Sequence, residues 1–96
     1  MKQPIELTPR QQNIINNLPN ISLDILAFAI RDFWKNPYFG AVPYLDAMTS
    51  LNSINDNYGA DSGRSIVAYF LANAPTWRGP FAKAVKAELN SRLKKR

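Results

Sequence analysis

The spacing of apolar residues along the chain predicts helices. In five segments apolar positions recur at helical spacing, and no segment shows the regular alternation of apolar and polar positions that marks a strand. A chain of 96 residues, 46% of them hydrophobic, is long enough to bury one core. We therefore predict an all-α fold in which residues 1–96 form a single domain, a compact bundle of about five helices.

Start and stop signals mark the first two helices. Residues 8–11 combine an N-cap threonine, a proline at the first helical position and a glutamine at the third, and they predict a short helix over 9–18. Ser22 is placed to cap a second helix, over 22–35. Its core-facing stripe covers roughly 120° of the helix surface and consists of Leu23, Leu26, Ala27, Ile30, Phe33 and Trp34.

A third helix is predicted between a proline and a glycine. Pro43 is placed to open it, and Gly59 is placed to end it. The apolar residues between them repeat at helical spacing: Tyr44, Ala47, Met48, Leu51, Ile54 and Tyr58. We therefore expect one helix that runs as far as Tyr58.

The helix over 62–74 is predicted to be central and buried. Its body carries no charge, and a helix without a polar face is normally covered on all sides. The arc left free by its large residues holds Ser65, Ala68 and Ala72, which would let another helix approach closely. We therefore expect the other helices to pack around this one.

The positive charge of the chain is concentrated in its C-terminal third. Residues 1–60 hold four Lys/Arg and five Asp/Glu, residues 61–96 hold eight and two, and the net charge is +5. Pro80 opens a fifth helix there, with a buried stripe of Phe81, Val85, Leu89 and Leu93. Arg92 and Arg96 project nearer the apolar side of this helix, so the charge does not form one uniform patch.

Four cations of this region are candidates for binding a nucleic acid: Arg78, Lys83, Lys86 and Lys94. On the fifth helix Lys83 and Lys94 point away from the buried stripe, with Lys86 at its edge, and such a ridge can follow a phosphate backbone. The alternative is a merely solvated helix end, because the helix dipole favours cations there anyway. Residues 7–27 also resemble the opening of a helix-turn-helix, but no basic recognition helix follows them.

Composition excludes several kinds of catalysis. Cysteine and histidine are absent, so the chain has no disulfide, thiolate nucleophile or imidazole base, and it lacks the usual ligands of zinc, haem and copper. No pair among its seven Asp/Glu is marked by spacing as two catalytic carboxylates, and glycine-rich phosphate motifs are missing. We expect no enzyme activity, no cofactor and no metal site.

A second group of residues predicts contact with another protein: Ile25, Phe28, Tyr38, Phe39 and Trp77. Ile25 and Phe28 lie off the core stripe of the second helix, and the other three lie in connections, where aromatic side chains can anchor a partner. The alternative is that Tyr38, Phe39 and Trp77 close the ends of the core. Ile25 and Phe28 would then meet a neighbouring helix. Together these apolar and aromatic side chains are more than a five-helix core requires. The simplest explanation is that some of them are covered when the protein self-associates as a homodimer.

The sequence favours a cytoplasmic location. Residues 1–10 contain no apolar signal core, and the longest apolar run without charge, residues 65–77, has 13 residues, against about 20 for a membrane span. Residues 61–79 resemble a run in small bacterial proteins, and this resemblance implies no activity. The predicted function is that of a small non-enzymatic binding or regulatory protein acting through protein–protein contacts. The alternative is a nucleic-acid-binding protein that uses its basic C-terminal helix.

Overall fold

Helices make up most of the structure, a computed structural model that describes residues 7–94. The α-helices of this range are α1 (Pro9–Asn16), α2 (Leu23–Phe33), α3 (Val42–Met48), α4 (Gly63–Ala72) and α5 (Pro80–Lys94). A 3₁₀-helix, Leu18–Asn20, follows α1. Two short strands, β1 (Asn57–Tyr58) and β2 (Asp61–Ser62), pair antiparallel just before α4. The predicted all-α bundle is confirmed, and the small hairpin is an addition to it.

The capping box at the start of α1 forms as predicted. The Thr8 hydroxyl oxygen accepts a hydrogen bond from the Gln11 backbone N–H at 3.1 Å, and the Gln11 side chain accepts one from the Thr8 N–H at 2.9 Å. The α-helix ends at Asn16, two residues earlier than expected, because Pro19 follows in the 3₁₀-helix. Ser22 is the N-cap residue of α2 by position, but its side chain makes no capping bond.

The predicted core stripe of α2 is confirmed. Leu23, Leu26, Ala27, Ile30 and Trp34 are buried, and Phe33 is half-buried. The stripe of α5 is confirmed in the same way, since Phe81, Val85 and Leu89 are buried and Leu93 is half-buried. The core between these helices is rich in aromatic rings. Trp34 stacks on Trp77 with ring centroids 5.7 Å apart and meets Phe70 edge-on at 6.1 Å.

The prediction of one helix from Pro43 to Tyr58 is wrong. The helix α3 ends at Met48, and turns follow it. Polar side chains hold these turns: the Asp56 carboxylate accepts backbone N–H bonds from Asn52 at 2.8 Å and from Ser53 at 3.2 Å. Such local bonds compete with helix formation, and Gly59, with φ at +60°, turns the hairpin instead of ending a helix.

The helix α4 is central because it packs on both α3 and α5. Ser62 caps it, with its hydroxyl oxygen accepting the Ser65 backbone N–H at 3.1 Å. Its buried side is formed by Gly63, Ile66, Val67 and Phe70. The expected packing of another helix on the small-residue side of α4 is not found, since Ala68, Tyr69 and Ala72 are exposed. The described part of the chain has no further helix to cover that side.

Two arginines of the C-terminal third tie α5 to the rest of the fold. A terminal nitrogen of Arg92 donates to the backbone oxygens of Leu18 and Ile21, each at 2.7 Å, and its Nε donates to Glu88 at 2.7 Å. Arg64 donates to the Leu93 backbone oxygen at 2.8 Å, near the C-terminus of α5. Part of the basic charge therefore holds the structure together.

Candidate interaction surfaces

The outer side of α2 exposes two large apolar side chains. Ile25 is 56% exposed and Phe28 is 50% exposed, and a spacing of three residues places them side by side on the helix. They lie in a groove of about 270 Å³ between α1 and α2. The groove is lined by Arg10, Asn13, Ile14, Ile21, Ile25, Phe28, Ala29 and Asp32. We refer to these residues as the α2 groove; it joins the two strongest protein-interface candidates in one surface.

Charged residues surround the α2 groove. Arg10 and Asp32 form an ion pair at 2.8 Å on its rim, and Arg10 also lies 5.1 Å from the centre of the Phe33 ring. On the opposite edge of α2, Arg31 reaches Asp46 at 3.6 Å, with both side chains more than half exposed. Exposed pairs of this kind contribute at most about 1 kcal/mol, so both arginines can exchange partners at little cost.

Tyr38 and Phe39 form a separate aromatic pair in the connection between α2 and α3. Their ring centroids are 4.9 Å apart, and Phe39 is 79% exposed. A Cβ atom added at Gly40 would lie 2.5 Å from the Tyr38 ring, so this loop packs tightly against the tyrosine. The structure therefore places these two candidates on the surface, but not among the residues of the α2 groove.

Trp77 is almost wholly buried, although it lines a pocket of about 490 Å³ at the start of α5. Its side chain is only 5% exposed, since it is stacked on Trp34 and meets Phe81 edge-on. The connection before α5 turns the Trp77 ring inward, where it closes the core, and a contact with a partner stays a prediction.

The ammonium group of Lys86 takes part in hydrogen bonds within the fold. Its Nζ donates to the backbone oxygens of Ala74 and Trp77, both at 2.5 Å, and lies 5.9 Å from the centre of the Trp77 ring. Burial, and then the positive charge of Arg78, lower the pKa of Lys86. A lysine held in this way has little freedom to meet a phosphate.

The remaining cations are spread along α5. Lys83 and Lys94 are exposed and lie on the same side of the helix, because eleven residues make about three full turns. Arg78 is exposed before the helix, where its Nε donates to the Pro75 backbone oxygen at 3.4 Å. Arg78 and Lys83 line one pocket of about 490 Å³ together with Lys86. Lys94 lies about 16 Å from Lys83 along the helix axis, so Arg78, Lys83 and Lys94 form an open row that begins at this pocket.

A groove lined by tyrosines was not found from the sequence. Tyr44 of α3, Tyr58 of β1 and Tyr69 of α4 line it together, and its volume is about 580 Å³. The other lining residues are Pro43, Ala47, Asp61 and Ile66. The sequence pattern assigned two of these tyrosines to the buried stripe of a long third helix. Since the three tyrosines come from three elements, no local spacing marks the groove; we call it the tyrosine groove.

No group of three or more carboxylates in residues 7–94 is placed to hold a metal ion. None of the helices within the described range has the length and apolar character needed to cross a membrane. Comparison with family models, with curated proteins and with solved structures gives no match to this chain.

Proposed function

We propose that this chain is a cytoplasmic, non-enzymatic protein that acts through protein–protein contacts, and that its α2 groove pairs two copies of it. The observation that carries the proposal is the half exposure of Ile25 and Phe28 on one side of α2. Large apolar side chains grouped on a surface and rimmed by charges are typical of an interface. The absence of histidine and cysteine, together with the structural use of Asp56, supports the non-enzymatic part of the proposal.

The charges on α2 favour a second copy as the occupant of this surface. Along a helix Asp24 lies about 6 Å before Phe28, and Arg31 about 4.5 Å after it. Both lie on the same edge of the exposed side of α2, by the 100° turn per residue. Two α2 helices packed antiparallel, with a two-fold axis at Phe28, therefore bring Asp24 of one copy level with Arg31 of the other.

The opposite edge of α2 is compatible with the same arrangement. The two-fold axis brings Ile25 of one copy level with Asp32 of the other. The charge of Asp32 is already paired with Arg10 at 2.8 Å, so no free carboxylate is placed against the isoleucine. Both edges are thus compatible with a second copy. On one edge Arg31 exchanges its exposed pair with Asp46 for Asp24 of the other copy, and on the other edge Ile25 meets a carboxylate that is already paired.

The size of the surface predicts a weak dimer. A stable interface of ordinary size covers about 800 Å² on each partner, which is about an eighth of the 6109 Å² accessible surface of this chain. Two half-exposed apolar side chains supply only part of that area. We therefore expect dissociation constants in the micromolar range, about 10 to 100 µM.

Sedimentation equilibrium over a wide concentration range tests this dimer. Phe28→Ser should shift the protein to monomer, whereas the control Phe39→Ser, which alters a more exposed ring outside the groove, should leave the dimer unchanged. A wild-type chain that remains monomeric at millimolar concentration would remove the proposal.

Charge reversal tests the two-fold arrangement separately. Asp24→Arg and Arg31→Asp should each weaken the dimer about tenfold, because each places like charges opposite one another twice in the dimer. The double variant should recover most of the loss. Circular dichroism shows whether each variant keeps its helices. Failure of the double variant to recover, with the fold intact, would mean that the helices pair in another way.

Nucleic-acid binding is the second candidate function, favoured by the shared exposure of Lys83 and Lys94 on α5. With Arg78 the row offers three cations, so the affinity for duplex DNA should fall with salt at a slope of at most about −2.7 in log–log units. Fluorescence titration of labelled DNA and RNA across salt measures this slope. Lys83→Glu with Lys94→Glu should abolish binding, and Lys35→Glu is the matched control. Absence of binding at low salt would end this candidate.

A further inference from the structure

The tyrosine groove is a second surface with the character of a binding site. It opens between α3, α4 and the β-hairpin, on residues that the α2 groove does not include. Tyr58 is 47% exposed and Tyr69 is 53% exposed, while Tyr44 and Ile66 lie deeper. Tyrosines present a large apolar face and a hydroxyl at low entropic cost, which is why they are frequent in binding surfaces.

Two of the three rings contact each other before any ligand arrives. Tyr44 and Tyr69 contact each other, with centroids 5.4 Å apart and planes inclined by 37°. Tyr58 lies on the hairpin strand, opposite Asp61 in the register, and the turn between them is made by Gly59. A surface whose side chains are already ordered loses less entropy when it binds.

One carboxylate gives this groove its charge. Asp61 is the charged residue of its lining, and it is exposed. Within residues 7–94 the ion pairs are Arg10–Asp32, Arg31–Asp46 and Arg92–Glu88, so Asp61 takes part in none of them. An aromatic surface beside an unpaired carboxylate fits a ligand that is apolar along its length and carries a cation.

The ring geometry distinguishes between two ligands of that kind. A quaternary ammonium group is held when aromatic rings surround it, with its charge within about 6 Å of each ring centre. Tyr44 and Tyr69 are in mutual contact, so no methylated ammonium group fits between them. The two rings form a joined aromatic surface, and Tyr58 lines the same groove. An aromatic-lined groove of this kind suits the flat rings of prolines in an extended segment.

We propose that the tyrosine groove binds a proline-rich segment of a partner protein in the polyproline II conformation, with a basic side chain of that segment paired to Asp61. The prolines lie against Tyr44, Tyr58 and Tyr69. Such a segment is already extended when free, so a small groove can bind it without a large ordering cost. This site is separate from the α2 groove and does not depend on self-association.

Titration of the ¹⁵N-labelled full chain with synthetic peptides tests the proposal. The probes are a proline-rich decapeptide with one arginine, the same peptide with glutamate in that place, and one with glycine in place of the prolines. The arginine peptide should shift the amide signals of β1, β2 and the start of α4, with a dissociation constant of about 100 µM to 1 mM. The glutamate peptide should bind about threefold to tenfold more weakly, and the glycine peptide should not bind.

Variants assign the effect to the groove. Tyr69→Ala should weaken the arginine peptide about tenfold, and Asp61→Asn should remove most of the difference between the arginine and glutamate peptides. Asp61→Asn is the variant that keeps the test valid if Tyr69→Ala disturbs α4. Phe28→Ser should leave peptide binding unchanged.

Three results would overturn this inference. They are equal binding of the glycine and proline peptides, signal shifts confined to other surfaces, and tighter binding of tetramethylammonium than of the arginine peptide. The last of these would identify a site for small ammonium ions. Each result is independent of whether the α2 groove forms a dimer.

Discussion

At the scale of single residues, Lys86 shows how a surface-type side chain becomes part of the fold. Its ammonium group bridges the backbone oxygens of two buried residues, Ala74 and Trp77, in the connection between α4 and α5. Two charged hydrogen bonds and the nearby indole ring favour the protonated form, while burial and Arg78 oppose it and lower the pKa. The group thus stabilises the connection between α4 and α5, together with the hydrogen bond from the Trp77 N–H to the Ala74 oxygen at 3.2 Å.

We predict that Lys86→Met lowers the free energy of unfolding by about 2 kcal/mol, because two buried carbonyl oxygens lose a charged donor. Urea denaturation measures the loss. The control is Lys83→Met, which changes an exposed lysine of the same helix and should alter stability by less than about 0.5 kcal/mol. Equal effects of the two variants would show that the Lys86 bonds contribute nothing.

The pKa of Lys86 also predicts a pH dependence. Because its folded-state pKa lies below the unfolded value of 10.5, the folded chain releases this proton at a lower pH than the unfolded chain does. Between the two values the unfolded chain binds more protons, so this group makes stability rise with pH there. The free energy of unfolding of the wild type minus that of Lys86→Met should therefore increase as the pH rises toward 10.5. A difference that decreases over this range would contradict the prediction.

Gly63 is a second residue whose role depends on close packing. A Cβ atom there would lie 2.8 Å from the Ile54 backbone oxygen and 2.9 Å from that of Asp56, whose oxygen also accepts the Gly63 N–H at 2.7 Å. We predict that Gly63→Ala lowers the free energy of unfolding by about 1–3 kcal/mol, since backbone atoms have to move. Ala68→Ser, on the exposed side of the same helix, is the control in thermal denaturation.

At the scale of elements, Arg92 joins the C-terminal helix to the N-terminal region. Its guanidinium group contacts the backbone of Leu18 and Ile21 and also the Glu88 side chain, and only about 15% of its side chain is exposed. Because the three acceptors belong to two parts of the chain, the arginine fixes how the 3₁₀-helix lies on α5.

We predict that Arg92→Met lowers the free energy of unfolding by about 3 kcal/mol, because the Glu88 carboxylate and two carbonyl oxygens lose their donor. Hydrogen exchange should show faster opening of α1 and the 3₁₀-helix than of α4. Lys94→Met, an exposed cation of the same helix, should have no such effect. Uniform acceleration of exchange over all helices would show that Arg92 has no local role.

At the scale of the whole molecule, self-association predicts that stability depends on concentration. A dimer that dissociates on unfolding gains stability by mass action, so the Tm should rise by about 3 °C for each tenfold increase in protein concentration above the dissociation constant. Phe28→Ser should remove this dependence. Differential scanning calorimetry at several concentrations measures it, and a Tm that is constant for the wild type would argue against a dimer.

The helices and their core sides follow from local sequence, as particular residues show. The Thr8 capping box, the Ser62 cap and the stripes of α2 and α5 are each set within one or two turns, by backbone hydrogen bonding and apolar spacing. The exposure of Ile25 and Phe28 followed from the same spacing, because both lie off the core stripe of α2.

The end of α3 shows where local spacing fails. Leu51 and Ile54 are buried as the helical pattern required, yet they reach the core from turns. Those turns are held by the Asp56 carboxylate, and the Asp56 backbone oxygen accepts a hydrogen bond from the Gly63 N–H. Apolar spacing reports which residues are buried, but the path of the backbone between them depends on such contacts.

The sequence by itself determined the helical class, most helix starts and which apolar residues enter the core, because these depend on interactions between residues a few positions apart. Only the tertiary structure decided that Trp77 is buried and that Lys86 donates to its backbone oxygen. The same holds for the hydrogen bond from Arg92 to a carbonyl 74 residues away and for the groove that three tyrosines share. The physical reason is that burial and long-range hydrogen bonds are set by which distant segments pack together, and no local pattern carries that information.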